Sequence, residues 1–230
     1  MMLRLFVTGI FTLLFFIEGF GQLREFGVVS DFGKSKVSFN TYKYDKNTYS
    51  FSFDAGVFTV IRSGPGVYLR AELLYNRLNG EHIWANVPVY KEVIYMFPGT
   101  TQPRERIGTI ISEIRDYTYD NISLPLLLGH RIGRKMEVEL GVLFLYVISK
   151  VERISKTTEI MGEVTSTSDR IYRNEGRVHM GGKLKFGYKL SNQASIKLST
   201  FLSCSYCGVE QWNKGFLQFA IGGEYRLFKW

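Results

Sequence analysis

The sequence predicts an all-β fold: an eight-stranded antiparallel up-and-down transmembrane β-barrel after an N-terminal signal peptide. Three observations carry this reading. Long stretches alternate apolar and polar residues with the two-residue period of a strand. Tight turns alternate along the chain with longer polar loops, as in barrels whose short turns lie on one rim. No helical period of useful length follows residue 21.

Residues 1–21 read as the signal peptide. Arg4 gives a positive start, Leu5 to Ile17 is a largely apolar run, and Gly19-Phe20-Gly21 supplies small residues for cleavage. The apolar run is too short for a spanning helix and ends at Glu18. Residues 22–230 form one domain, about 209 residues, long enough for a sizeable core. No later run is long and apolar enough for a transmembrane helix. A membrane form of this chain is therefore a barrel, the other fold that satisfies its own backbone in lipid.

The first strand, Glu25 to Phe39, alternates least cleanly. The second, about Tyr49 to Arg62, sets Phe51, Phe53, Ala55, Val57 and Ile61 against Ser52, Asp54, Gly56 and Arg62, with Phe58 and Val60 on the polar side. Ser63-Gly64-Pro65-Gly66 is a turn. The third, Val67 to Leu78, opposes Leu69, Ala71, Leu73 and Tyr75 to Tyr68, Arg70, Glu72 and Asn76. Residues 79–117 read as the longest irregular loop, in which Val87 to Met96 could form a hairpin arm. The fourth strand, Asp120 to Arg131, carries Pro125, which is awkward for a central strand. Ile132 to Lys135 turns the chain into the fifth, Met136 to Ile148. A polar loop covers 150–175. The sixth strand, Val178 to Leu190, has the cleanest pattern, with Met180, Leu184, Phe186 and Tyr188 opposed to His179, Lys183, Lys185 and Lys189. After Ser191-Asn192-Gln193 a seventh strand sets Ile196, Leu198 and Leu202 against Ser195, Lys197 and Ser203. Gly215 to Trp230 is the eighth. Loops 40–48, 79–117 and 150–175 fall on one rim, and both termini on the other.

Alternation alone fits two barrels: a membrane barrel with its apolar face outward, and a soluble lipocalin-like carrier with that face lining a cavity. Three clues favour the first. The polar faces carry both signs of charge: Asp54, Arg62, Arg70, Glu72, Arg131, Glu137, Glu139, Lys183, Lys185, Lys197, Glu224 and Arg226. Inside a narrow barrel these can pair into a network that fills the lumen. The same faces carry Gly56, Gly129, Gly141, Gly181, Gly187 and Gly222, which suit a crowded interior. Aromatics gather near strand ends, at Phe51, Tyr75, Tyr146, Tyr188, Tyr225, Phe228 and Trp230, as in interfacial belts.

The signal peptide, amphipathic strands and terminal aromatic resemble the small outer-membrane β-barrels of Gram-negative bacteria. Gly66-Val67-Tyr68-Leu69-Arg70-Ala71-Glu72-Leu73-Leu74-Tyr75 resembles the third-strand pattern of the PorT-like "porin family" barrels common in Bacteroidetes. Ile122-Ser123-Leu124-Pro125-Leu126-Leu127-Leu128 is similar to that family's fourth strand, where a Pro sits in a Leu-rich run. The resemblance implies a fold and an outer-membrane location more than an activity. Strict alternation puts Trp230 on the face of Glu224 and Arg226, a departure that a bulge would reconcile.

No catalytic, cofactor-binding or metal-binding residue is assigned. His82, His130 and His179 lie far apart without metal-ligand spacing. A lipid-modifying barrel enzyme needs a His meeting a Ser and a carboxylate; Ser123 near His130 falls on the opposite face, and Glu81 beside His82 has no evident Ser. Glu137 and Glu139 read as rungs of an interior salt-bridge ladder with Lys183, Lys185 and Lys189 of the next strand. The Cys204-x-x-Cys207 pair lacks a second ligand pair or a thioredoxin-like surround. The net charge of +8 fits either a solvated basic surface or attraction to acidic lipids or glycans. Nucleic acid is excluded as a partner by export and by the lack of a binding motif. The expected partners are outer-membrane lipid, lipopolysaccharide, and an extracellular or envelope protein met through the loops. The expected state is a monomer.

Overall fold

The computed structural model describes residues 23–38, 45–62, 66–92, 104–205 and 215–229. The signal-peptide reading, Cys207 and Trp230 fall outside these residues. The described residues form nine strands: β1 (Leu23–Ser38), β2 (Asp45–Arg62), β3 (Val67–Glu92), β4 (Arg104–Ile132), β5 (Met136–Ile160), β6 (Glu163–Arg173), β7 (Arg177–Lys189), β8 (Ala194–Ser205) and β9 (Gly215–Lys229). All pairings are antiparallel. Eight strands close into an up-and-down barrel: β1 pairs β9, and the circle is completed by β4 with β5 and β5 with β7. The remaining strand, β6, stands outside the circle and among the described strands pairs only with β5.

The alternation places the faces as the membrane reading requires. Phe32, Leu69, Leu128, Leu140, Leu198, Leu202 and Ile221 are exposed on the outside, with Leu140 62% exposed. Lys183, Lys185, Lys197, Glu72 and Glu139 are buried inside. This is the reverse of what a lipocalin-like cavity for an apolar ligand requires. The exposed aromatics of the barrel wall form two bands. Phe32, Tyr49, Phe51, Tyr75 and Phe219 lie toward the loop rim; Phe186, Tyr188, Tyr225 and Phe228 lie toward the turn rim.

Local irregularities explain two awkward residues. Pro125 points inward on β4 and pairs with Leu143 of β5, while the β3–β4 ladder steps from Ala71↔Leu126 to Leu74↔Ser123 without pairing it. Its missing N–H therefore falls where that ladder is interrupted. On β9 the register with β1 slips, so that Gly27 faces Arg226 but Phe26 faces Phe228. This bulge at Leu227 turns Phe228 to the outer surface, where it is exposed.

The structure corrects the loop assignments. Residues 79–92 and 104–119 are not irregular: they extend β3 and β4 as one long ladder above the barrel. Within 150–175, residues 150–160 continue β5 and residues 163–173 form β6. Asp45 to Thr48 of β2, placed within loop 40–48, pair with Glu81 to Trp84. Five strands thus rise past the loop-side aromatic band as a raised sheet. The β5–β6 turn is Met161-Gly162, both at positive φ (51° and 84°), the two-residue turn that matches hairpin twist. The helical content expected, none, agrees with an architecture whose every described element is a strand.

Candidate functional site

Two features are candidates for function: the filled interior and the raised sheet. The interior is built in layers. Nearest the turn rim, Arg226 and Arg131 each bind Glu25 at 2.9 Å, and Glu137 binds Lys189 at 2.9 Å, Arg131 at 3.0 Å and Arg226 at 3.3 Å. Above this, Lys197 bridges Glu137 and Glu139, both at 2.9 Å. Arg70 then binds Glu72 and Glu224 at 2.6 Å each, and its guanidinium lies 3.9 Å from the centre of the Phe58 ring. Lys185 joins Glu72 (2.7 Å) to Glu224 (3.3 Å), and Lys183 reaches Glu72 at 3.1 Å. Tyr68 donates to Glu139 at 2.7 Å.

The expected Glu137/Glu139 ladder with Lys183 and Lys185 is corrected by these distances. Glu139 does face Lys185 in register, yet Lys183 and Lys185 turn to Glu72 of β3, across the lumen, and Lys185 also to Glu224 of β9, two strands round. Only Lys189 pairs with Glu137 as read. The reason is curvature: inward side chains of a narrow barrel converge on the axis, so the nearest opposite charge lies across it.

Small residues make room for this packing. A Cβ on Gly129 would stand 2.2 Å from the Tyr68 ring, and one on Gly187 would meet the Lys197 side chain at 2.7 Å. Three carboxylates, of Glu72, Glu139 and Glu224, offer oxygens within 4.8 Å of one another, the spacing of a cation site. That position is taken by the Arg70, Lys185 and Lys197 cations, so the donors are already neutralised. Toward the loop rim a polar layer follows, in which Gln218 donates to Ser52 (3.1 Å) and Asp54 (3.0 Å) and Ser199 donates to Asp31 (3.3 Å). An apolar layer then closes the lumen: Val37, Leu78, Tyr119, Leu143, Leu145, Val147, Phe201 and Phe216 are buried together. The sequence reading missed this layer, although Leu143, Leu145 and Val147 share the parity of Glu137 and Glu139.

The inner face of the raised sheet has its own cluster. Arg115 stacks 4.3 Å from the Trp84 ring and pairs with Glu113 (2.5 Å) and Glu152 (3.3 Å). Lys150 binds Glu152 at 3.2 Å and lies 4.7 Å from the Tyr117 ring. Burial, then the Glu152 charge, push the Tyr117 phenol up to about 12. Burial, then Glu81, raise the Asp116 carboxyl.

The histidines do not come together. His82 packs 4.2 Å from Trp84 on β3, and His179 packs 4.9 Å from Phe216 on β7. His130 is exposed on the outside of β4, while Ser123 points inward. Glu81, on the face opposite His82, accepts from Thr48 at 2.7 Å.

No family model matches the chain, and no curated protein matches it in sequence. Among solved structures, the chain is similar to the attachment invasion locus protein Ail of Yersinia pestis, solved in complex with the heparin analogue sucrose octasulfate. The identity is 13% and the TM-score 0.43, over 90% of this chain and 100% of that one. Neisserial surface protein A is similar at 10% identity and TM-score 0.44, over 87% and 96%. The outer membrane protein OprG of Pseudomonas aeruginosa is similar at 10% and 0.36, over 90% and 98%. At these scores the likeness carries no further argument, and the architecture rests on the strand pairing itself.

Proposed function

We propose that this chain is an integral outer-membrane β-barrel, exported by the signal peptide at residues 1–21, whose role is surface interaction through its raised sheet. The carrying observation is the inversion of faces: large apolar side chains outside, a paired charge network and an apolar seal inside. A soluble domain would bury the first and solvate the second. The outward apolar stretch on β3 runs from Val67 to Tyr75, about nine residues, the length a tilted strand needs to cross the hydrocarbon. Beyond it β3, β4 and β5 continue on one side only, which supports reading that side as the exposed rim.

The barrel works as a plug and a platform. Its lumen is lined by paired charges and a buried apolar layer, which supports the reading that general diffusion is not its task. We read it as a PorT-like barrel of the Bacteroidetes type on the Glu72-Leu73-Leu74-Tyr75 and Pro125 patterns, as non-enzymatic, and as a monomer within its own membrane. Lipid and lipopolysaccharide surround it, and extracellular or envelope molecules meet the sheet. Fractionation of the producing cell, with gel mobility compared before and after boiling, tests this. Outer-membrane recovery with heat-modifiable mobility is expected. Recovery in the soluble fraction without detergent would overturn it.

A further inference from the structure

The strand β6 leaves one edge of the raised sheet unpaired. Residues 163–173 pair with β5 on one side, and no described strand lies on the other. Nearly all of β6 is exposed. An open edge of this length is a template for another strand, and natural proteins usually blunt it. Here it carries no Pro, no Gly and no bulge: Glu-Val-Thr-Ser-Thr-Ser-Asp-Arg-Ile-Tyr-Arg. The two-residue turn hydrogen-bonds its flanking pair, Ile160 and Glu163, so the backbone groups of Glu163 and every second residue after it point to β5. Those of Val164, Ser166, Ser168, Arg170 and Tyr172 point to the free edge.

We infer that this edge pairs antiparallel with the same edge of a second copy of the chain held in a facing membrane. The sequence of β6 is self-complementary about Ser168. With Ser168 opposite Ser168 of the second copy, Glu163 faces Arg173, Val164 faces Tyr172 and Thr165 faces Ile171, each twice by symmetry. Opposite charges, an aromatic against a β-branched residue, and two β-branched residues are favourable cross-strand pairs. Asp169 and Arg170 meet Thr167 and Ser166. The edge-directed residues fall opposite one another, so the ladder can form over the whole strand.

Neighbouring registers are worse. Centring on Ser166 sets Glu163 against Asp169, and centring on Asp169 sets that carboxylate against itself. Centring on Thr167 loses the Glu163–Arg173 pairs altogether. The complement thus specifies one register as well as one partner.

Symmetry fixes where the second copy stands. Antiparallel strands in one sheet are related by a two-fold axis perpendicular to that sheet, and the interface is isologous. In every copy β6 descends from the hairpin tip toward its own membrane. A second β6 running the other way descends toward a membrane on the opposite side. Two copies in one membrane would bring their β6 strands together in parallel, with Glu163 near Glu163 and Arg170 near Arg170. The edge therefore fits contact between cells. This inference rests on the membrane reading above.

The test uses the full mature chain in phosphatidylcholine vesicles of two colours, with heat-modifiable mobility checked for each preparation. That check reports barrel insertion independently of vesicle contact. Wild-type vesicles are expected to cluster. Glu163→Arg and Arg173→Glu each place like charges opposite in two pairs, and each is expected to reduce clustering about tenfold. Mixing Glu163→Arg vesicles with Arg173→Glu vesicles restores both pairs and is expected to restore clustering. Dispersed wild-type vesicles with inserted barrels would overturn the inference. So would variants that cluster undiminished, or a mixture that stays dispersed.

Discussion

Lys197 shows what the single-residue scale decides. Its ammonium is buried and bridges Glu137 and Glu139 at 2.9 Å, with Glu224 at 3.6 Å. Removing one cation from such a set leaves carboxylates buried beside each other, which costs more than the pair contributes. Lys197→Met is expected to destabilise the barrel by about 3–5 kcal/mol, read as a lower urea midpoint in lipid vesicles. The identities of these charges were legible in the sequence, because parity alone puts Arg70, Glu72, Glu137, Glu139, Lys183, Lys185, Lys197, Glu224 and Arg226 on one face. Their partners were not. Register gives the neighbour on the next strand, and the lumen brings in strands two or three away, as when Lys197 of β8 takes Glu137 and Glu139 of β5 and Glu72 of β3 takes Lys183 and Lys185 of β7.

At the scale of elements, the barrel strands were readable and the raised sheet was not. Alternation of apolar and polar residues marks a strand only where its two faces meet different surroundings. On β7 one face is apolar and exposed and the other meets a charged lumen, so the pattern is clean. On β6 both faces are exposed, and nothing selects an apolar side. Signals of another kind were present: Thr, Val, Ile and Tyr favour strands, and Met161-Gly162 suits a tight hairpin. The hairpin is separable from the barrel, since Met136 to Val147 pair with β4 and β7 without it. Excising residues 151–174 and joining Lys150 to Glu175 is expected to leave a folded, heat-modifiable barrel by gel mobility. A chain that no longer folds would show the hairpin to be part of the barrel's framework.

For the whole molecule, charge and closure go together. The lumen holds Glu25, Asp31, Asp54, Glu72, Glu137, Glu139 and Glu224 against Arg70, Arg131, Lys183, Lys185, Lys189, Lys197 and Arg226. The signs balance there, so the excess positive charge of +8 is carried by residues outside this lumen set, among them Arg153, Lys156, Arg170 and Arg173 of the raised sheet, where it can meet acidic partners. With the apolar layer above the network, reconstituted protein is expected to show no ionic conductance steps in a planar bilayer. Discrete openings would mean that the layer yields.

The face assignment is the claim on which the rest depends, and lipid-borne quenching measures it. In a background with Trp84, Trp212 and Trp230 replaced by Phe, a single Trp is introduced as Leu140→Trp, outside β5, or as Phe201→Trp, inside β8. In vesicles of brominated lipid the fluorescence of Leu140→Trp is expected to be strongly quenched and that of Phe201→Trp to be little changed. Quenching of Phe201→Trp with Leu140→Trp left bright would invert the faces and contradict the membrane barrel.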